Sequence, residues 1–375
     1  MTHLNNDNYD SVNNASTVYS VRNINDFLYL SILPDDRCNF HCSYCYSAKG
    51  RSDRQLSFDK IKVILDYFID NRRINETKLY ITFLGGGEPM LSWKTVKQSI
   101  EYASCLAESQ SIKPQFEIVT NGSLLSEDML ATFVKYKIQP RVSFEVLEKI
   151  QMMQRGMYKQ VSENLLKMSE AELHPQVRSV ITPANVKLIP EMVETLIGRF
   201  PAVDRYYFDP VTDKNIFTGK VRAENFFKQY ISSFYEAFDI ARSNDKILNC
   251  AMLQNLKTRA RRYCHGDLCL TPTGDISICH RIASPAEKDY QHCVYGKITN
   301  EGKLRFDQTK FAGLIEEDIA DKKPACQQCF LKWHCAGGCM VQNRTYPPEI
   351  NEIVCRFKRE FSTIALSKNL ISKKI

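Results

Sequence analysis

Between residues 26 and 211 the apolar positions come in short runs that alternate with longer segments of helical period. The runs FLYLSIL (from residue 27), KLYITFL (78), QFEIVT (115), PRVSFEV (140), QVRSVIT (176) and RYYFDPV (205) are rich in β-branched and aromatic residues and read as strands. Between them lie segments such as FDKIKVILDYFIDNRR, with Ser57 placed to cap it, and NVKLIPEMVETLIGRF, whose apolar residues recur every three or four positions. Six βα units in succession predict a parallel sheet wrapped by helices, either barrel-like or doubly wound. Both arrangements gather functional groups at the C-terminal ends of the strands. The strand endings LGGGEP (84–89), TNGS (120–123), SFEV (143–146) and TPAN (182–185) would therefore meet on one rim. Residues 216–260 read as a polar helical connector, after which short strands, turns and cysteines take over.

At 375 residues and 43% hydrophobic content the chain has room for one large domain and a smaller one. No apolar run approaches the roughly 18 residues that would span a bilayer, and the N-terminus lacks the charged-then-apolar order of a signal peptide. The expectation is a cytoplasmic protein with no membrane partner. A net charge of +7, from 50 basic and 43 acidic residues, comes with no basic run beyond the C-terminal SKKI, so no nucleic-acid partner is expected. Fourteen cysteines are the unusual count. In a reducing compartment such clustering reads as metal or iron-sulfur ligation before disulfides. Three cysteines fall within residues 38–45 and nine between 264 and 355, while Cys105 and Cys250 stand apart and read as small buried hydrophobes.

The first cluster, CNFHCSYC, follows the first strand and spaces Cys38, Cys42 and Cys45 as CxxxCxxC. A structural zinc site is closed and four-coordinate, and its usual spacings differ from this one. Three thiolates on a [4Fe-4S] cluster would leave one iron open, which is what a catalytic centre needs. The motif, with aromatic Tyr44 before its last cysteine, resembles the signature of the radical SAM superfamily. That resemblance implies a cluster whose open iron is chelated by S-adenosylmethionine, and cleavage of that cofactor to methionine and a hydrogen-abstracting 5'-deoxyadenosyl radical. GGEP, one βα unit later, resembles the family's GGE motif and implies cofactor contacts at Gly86, Gly87, Glu88 and Pro89. Asn121 in TNG, Ser143 in VSFEV and Arg155 in QMMQRG match further cofactor-binding positions, Arg155 as a partner of the carboxylate. Many relatives read Ser-x-Asp-Gly from that serine, where this chain has Glu145 and Val146.

From Cys264 onward the cysteine spacing resembles the SPASM extension of radical SAM enzymes that modify peptides and proteins. It implies two auxiliary [4Fe-4S] clusters, three in all: one held by Cys264, Cys279 and Cys339 with Cys269 as fourth ligand, the other by Cys326, Cys329, Cys335 and Cys355. Cys293 has no position in the motif. Eight thiolates would also suit two four-cysteine zinc sites. The resemblance thus implies an α/β fold, a partial (β/α)6 TIM-like barrel followed by a small cysteine-rich α+β SPASM domain. The domain limits are an N-terminal extension (1–25), the barrel (26–215), the connector (216–260) and the SPASM domain with its C-terminal helix (261–375).

It also implies an enzyme that abstracts hydrogen from a peptide or protein substrate, giving a crosslinked or oxidised product, with flavodoxin or ferredoxin as one-electron reductant. The alternative is a formylglycine-generating sulfatase maturase. Those enzymes carry an aspartate, the proposed base, directly after the cysteine that corresponds to Cys279. Here that residue is His280, which can itself take a proton near neutral pH.

Overall fold

A computed structural model of the chain describes residue 21 and residues 23–74, 76–213, 215–217 and 219–370. Most of the expected N-terminal extension and the terminal SKKI lie outside the described residues. All six expected strands form: β1 (Tyr29–Ile32), β2 (Lys78–Phe83), β3 (Lys113–Thr120), β4 (Gln139–Ser143), β5 (Gln176–Ile181) and β6 (Arg205–Pro210). They alternate with α1 (Phe58–Phe68), α2 (Trp93–Ser109), α3 (Glu127–Lys135), α4 (Glu148–Gln154), α5 (Tyr158–Glu170) and α6 (Ile189–Arg199). Each strand pairs in parallel with its sequence neighbour, giving the order β1 to β6 of a partial barrel. In α1 the buried residues Ile61, Ile64, Leu65 and Phe68 follow the helical period and face the sheet. Ser57 stands at the N-cap of this helix as the sequence predicts, but its side chain makes no capping hydrogen bond.

The connector is less polar than its sequence suggests. Its helix α7 (Lys220–Ser243) buries Phe226, Phe227, Tyr230, Phe234 and Phe238, and it leads into a seventh parallel strand, β7 (Ile247–Asn249), beside β6. Three residues are too few to carry a readable alternation, so the sequence gives no sign of this strand. After α8 (Ala251–Leu256) the cysteine-rich region begins with β8 (Leu268–Leu270) and β9 (Asp275–Ser277). It continues through α9 (Tyr290–Cys293), β10 (Val294–Ile298), β11 (Leu304–Phe306), α10 (Gln308–Glu317), α11 (Lys332–Cys335), α12 (Met340–Thr345) and α13 (Pro348–Ser367). β8 pairs in parallel with β1, matching Leu30 to Leu268 and Ile32 to Leu270, so the C-terminal region extends the barrel sheet. Strands β8 to β11 then run antiparallel.

Helix α13 returns to lie on α7, where Phe357 stacks on Phe227 at 4.7 Å and Phe361 packs edge-on to Phe234 at 5.3 Å. The Tyr230 hydroxyl donates to the Phe208 carbonyl of β6 at 2.6 Å, tying that aromatic cluster to the barrel. Burial of so many rings makes the cluster a large part of the apolar stabilisation, since each ring removes about 150–250 Å² from water. Phe361→Ala should accordingly cost about 3–5 kcal/mol, seen as a lowered unfolding midpoint. Leu366→Ala, 49% exposed on the same helix, should change stability by under about 0.5 kcal/mol.

Candidate active site

The loop after β1 begins with Asp35 and Asp36, both buried. Asp35 accepts from the Arg37 backbone N–H at 2.8 Å, from the Arg37 guanidinium, and from the Ser92 hydroxyl at 2.7 Å. Asp36 pairs with Arg54 at 2.8 Å and accepts from Ser52. These anchored acids fix the backbone that carries Cys38. The turn after β2 is laced to the same backbone: Gly87 N–H donates to the Asp35 carbonyl at 2.9 Å and Glu88 N–H to the Arg37 carbonyl at 2.7 Å. A Cβ on Gly87 would lie 1.8 Å from the Arg37 carbonyl oxygen, whereas one on Gly86 would meet side chains alone, Asp36 Oδ1 at 3.1 Å and Leu33 Cδ2 at 3.9 Å. Glycine is required at 87 because two backbones touch there.

These loops close around a cavity of about 310 Å³. Of the residues expected at the site, Cys38, Cys42, Cys45, Tyr44, Gly86, Gly87, Glu88, Asn121, Ser143 and Arg155 line it. Pro89 does not line it; it opens the buried turn Pro89–Ser92 behind the wall. His41 is exposed and lines an adjoining recess, which shares Cys38, Cys42 and Cys45 with this cavity. Glu88 is buried, and its carboxylate accepts from Thr120 Oγ1 at 2.7 Å and from the N–H groups of Asn121 at 2.7 Å and Met90 at 3.1 Å. Its oxygens therefore hold the turn against the end of β3. Asn121 in turn donates to Asn39 Oδ1 at 2.8 Å, next to Cys38.

Several members of the site have no counterpart in the sequence reading. Glu145, fully buried, accepts from the hydroxyls of Tyr44 and Ser179 and lies 4.0 Å from Arg155 Nη1, which itself donates to Tyr44 Oη at 2.9 Å. Burial raises the Glu145 carboxyl above its ordinary value, and Arg155, Ser179 and Tyr44 oppose that rise. Arg51 donates to Cys45 Sγ at 3.4 Å, while Tyr46, Asp209 and Arg281 complete the wall.

The later cysteines gather in two groups. Burial raises the Cys279 thiol well above its ordinary value, with the charges of Asp267, Cys264 and Cys339 adding to the rise. Burial likewise raises Cys326 and Cys355, and Cys335 and Cys329 add to both. Cys269 is buried on β8 beside Leu33, Leu84 and Ala283, with Cys279 among the charges that raise its thiol. Cys250 and Cys293 are buried, but Cys105 is exposed on α2, contrary to its reading as a core residue. Among the described residues no three His, Cys, Asp or Glu side chains converge tightly enough to hold one metal ion. Zinc would need its thiolates about 2.3 Å from one point, whereas a cubane takes each thiolate on a separate iron and tolerates wider spacing. Of the eight thiols Cys269 is buried, Cys264 and Cys355 are exposed and the rest are half-buried; neighbouring thiolates repel one another, and a polynuclear iron cluster would neutralise them. His280 is not part of the cavity lining: its Nδ1 lies 2.6 Å from Asp267 Oδ2, beside Cys279.

The sequence model of the radical SAM superfamily matches residues 32–197, from the end of β1 through the cysteine loop to α6. The chain is similar to the radical SAM cyclopropyl synthase TigE of Paramaledivibacter caminithermalis, 25% identical over 31% of this chain and 26% of TigE. It is 27% identical to the GTP 3',8-cyclase of Syntrophomonas wolfei subsp. wolfei over 74% of this chain and 82% of that enzyme. The similarity to TigE, and to the GTP 3',8-cyclase of Thermodesulfovibrio yellowstonii, of which 30% is covered, spans less than a third of those relatives' length. Among solved structures, anSMEcpe with bound AdoMet superposes with a TM-score of 0.72 at 16% identity, over 92% of this chain and 100% of that one. SuiB of Streptococcus suis bound to the precursor peptide SuiA superposes with a TM-score of 0.58 at 18% identity, over 84% of this chain and 72% of SuiB. At those identities the likeness is one of fold, and it covers the barrel and the cysteine-rich region together.

The lacing of the two loops makes a direct prediction. Gly87→Ala, purified anaerobically, should carry about four fewer irons per chain than wild type, one cluster's worth, while Gly86→Ala should match wild type. Equal iron in all three proteins would contradict the role given to the Gly87 approach.

Proposed function

Because residues 32–197 form a radical SAM domain, we propose that the chain is a peptide- or protein-modifying radical SAM enzyme that abstracts hydrogen from a residue of its substrate to give a crosslinked or oxidised product. The observation that carries this reading is the cavity, where Cys38, Cys42 and Cys45 share one wall system with Gly86, Gly87, Glu88, Asn121, Ser143 and Arg155. Cys38, Cys42 and Cys45 would hold one [4Fe-4S] cluster. When bound, the cluster and S-adenosylmethionine would supply one-electron cleavage of the cofactor to methionine and a 5'-deoxyadenosyl radical. Gly86 and Gly87 expose backbone to the cofactor's methionine end, and Glu88 keeps that backbone in place through Thr120 and Asn121. Arg155, restrained by Tyr44 and Glu145, offers its guanidinium to the carboxylate.

Two auxiliary clusters, on Cys264, Cys269, Cys279 and Cys339 and on Cys326, Cys329, Cys335 and Cys355, bring the total to three. The grouping of these thiols supports that assignment, and the fold shared with peptide-bound SuiB and with anSMEcpe supports a peptide partner. The reductant would be a flavodoxin or ferredoxin. No helix among the described residues is long and apolar enough to cross a membrane. The sulfatase-maturase alternative draws on the extent of the anSMEcpe superposition, and oxidation of a sulfatase-motif cysteine peptide to formylglycine would establish it. Its proton acceptor would have to differ, since His280 is held by Asp267 outside the cavity lining.

Reduced anaerobically with S-adenosylmethionine, the wild-type protein should form 5'-deoxyadenosine, and Cys42→Ala should form none above background. The wild type should hold about twelve irons, four per cubane. Near four irons with bound zinc would replace the auxiliary clusters by zinc sites, and 5'-deoxyadenosine from Cys42→Ala would remove the proposed centre.

A further inference from the structure

Arg281 follows Cys279 and His280 in the C-terminal region, yet it lines the barrel cavity alongside Tyr46, Gly85 and Asp209. Its guanidinium lies 5.1 Å from the centroid of the Tyr46 ring, and the Tyr46 hydroxyl donates to the Gly85 carbonyl at 3.1 Å. The ring that supports the cation is thus itself tied to the glycine turn. Arg281 Nε is buried and has no hydrogen-bond partner, and no carboxylate among the described residues pairs with its guanidinium.

The other charges of the cavity are already committed. Arg155 donates to Tyr44, lies 4.0 Å from Glu145 and, with its Nε also buried without a partner, is given to the cofactor's carboxylate in the reading above, while Arg51 is held by the Cys45 sulfur. Glu88 accepts three hydrogen bonds, and Asp209 accepts from the Ala251 N–H at 2.7 Å and faces Arg178 at 3.4 Å. A guanidinium carries five donors in a planar fork; Arg281 as a whole is half-buried, but its Nε is closed off from solvent, and a buried donor without an acceptor is unfavourable. Stacking on an aromatic ring fixes that plane while keeping the fork's edge open to a carboxylate.

We propose that Arg281 determines specificity by binding a carboxylate of the peptide substrate, from an Asp or Glu side chain or from the C-terminus. The proposal rests on the peptide-modifying reading above. Through it the C-terminal region supplies the cavity with a substrate anchor that the barrel lacks.

The test uses the full-length reconstituted protein, wild type and Arg281→Gln, saturated with S-adenosylmethionine. Three probes are titrated: acetyl-Ala-Glu-Ala-amide, acetyl-Ala-Gln-Ala-amide and acetyl-Ala-Ala-Ala with a free carboxylate. Wild type should bind one or both carboxylate probes about tenfold or more tighter than the glutamine probe, as one lost charge-assisted pair implies, and Arg281→Gln should lose that preference. The stronger of the two carboxylate probes identifies the source. Equal binding of all three by wild type, or a preference that survives in Arg281→Gln, would overturn the proposal. So would a drop in S-adenosylmethionine affinity as large as the loss of carboxylate preference, which would move Arg281 to the cofactor site. Failure of wild type to form 5'-deoxyadenosine would instead refute the enzymatic reading, and the binding comparison would still judge Arg281.

Discussion

The site depends on one close approach: the backbone of Gly87 against the carbonyl of Arg37. Two loops from adjacent parallel strands meet there with no room for a side chain, and two backbone hydrogen bonds close the contact. Strand pairing alone sets β1 and β2 side by side but leaves the loops beyond them free. The contact converts that proximity into a fixed distance between the cysteine loop and the glycine turn. Buried Asp35 reinforces it by bonding Arg37 on one loop and Ser92 beyond the other. Ordering a loop costs about 1–2 kcal/mol per residue in backbone entropy, so this many buried bonds are what a rigid ligand-binding loop requires.

A second layer fixes side chains rather than backbone. Glu145 accepts from Tyr44 and lies 4.0 Å from Arg155, and it is sited by an unusual turn, since Val146 takes φ +64°. A β-branched residue in the left-handed region costs roughly 1–2 kcal/mol, and the position is one where the sequence resemblance has glycine. Val146 is fully buried, and the apolar area it removes from water offsets that strain. The departure from Ser-x-Asp-Gly therefore keeps the acid, one methylene longer, and replaces a flexible hinge with a packed one.

The barrel strands and the first cysteine motif were legible because each is a local pattern. Alternating apolar residues over five to eight positions define β2 to β6, and three cysteines in eight residues define the loop. What escaped was set by tertiary contact. Strand β7 is three residues long and exists because β6 offers it an edge. Cys105 looks like any core cysteine until α2 turns it outward. His280 was read by its place after a cysteine, yet Asp267, thirteen residues earlier, claims its ring through the β8–β9 hairpin. Ser57 sits where a cap belongs, but the backbone there does not bring its hydroxyl to a free N–H.

The pairing of β8 with β1 changes how the two halves of the chain relate. Ser31 on β1 lies opposite Cys269 on β8, and Cys269 is opposite Ser277, two residues before Cys279. The strand that launches the cysteine loop is therefore hydrogen-bonded to the strand that leads into the later thiols, within one continuous sheet. A flexibly tethered domain would let the Cys279–Arg281 segment wander by the length of its linker. Here backbone ladders limit its movement relative to Cys38 to that of a packed sheet. The helical segment 216–260 serves the same end from outside, since α7 is clamped between the barrel strand β6 and the final helix α13. Chemistry at the barrel rim and the thiols behind it are thus held in one frame, and a residue such as Arg281 can serve the cavity from the far end of the sequence.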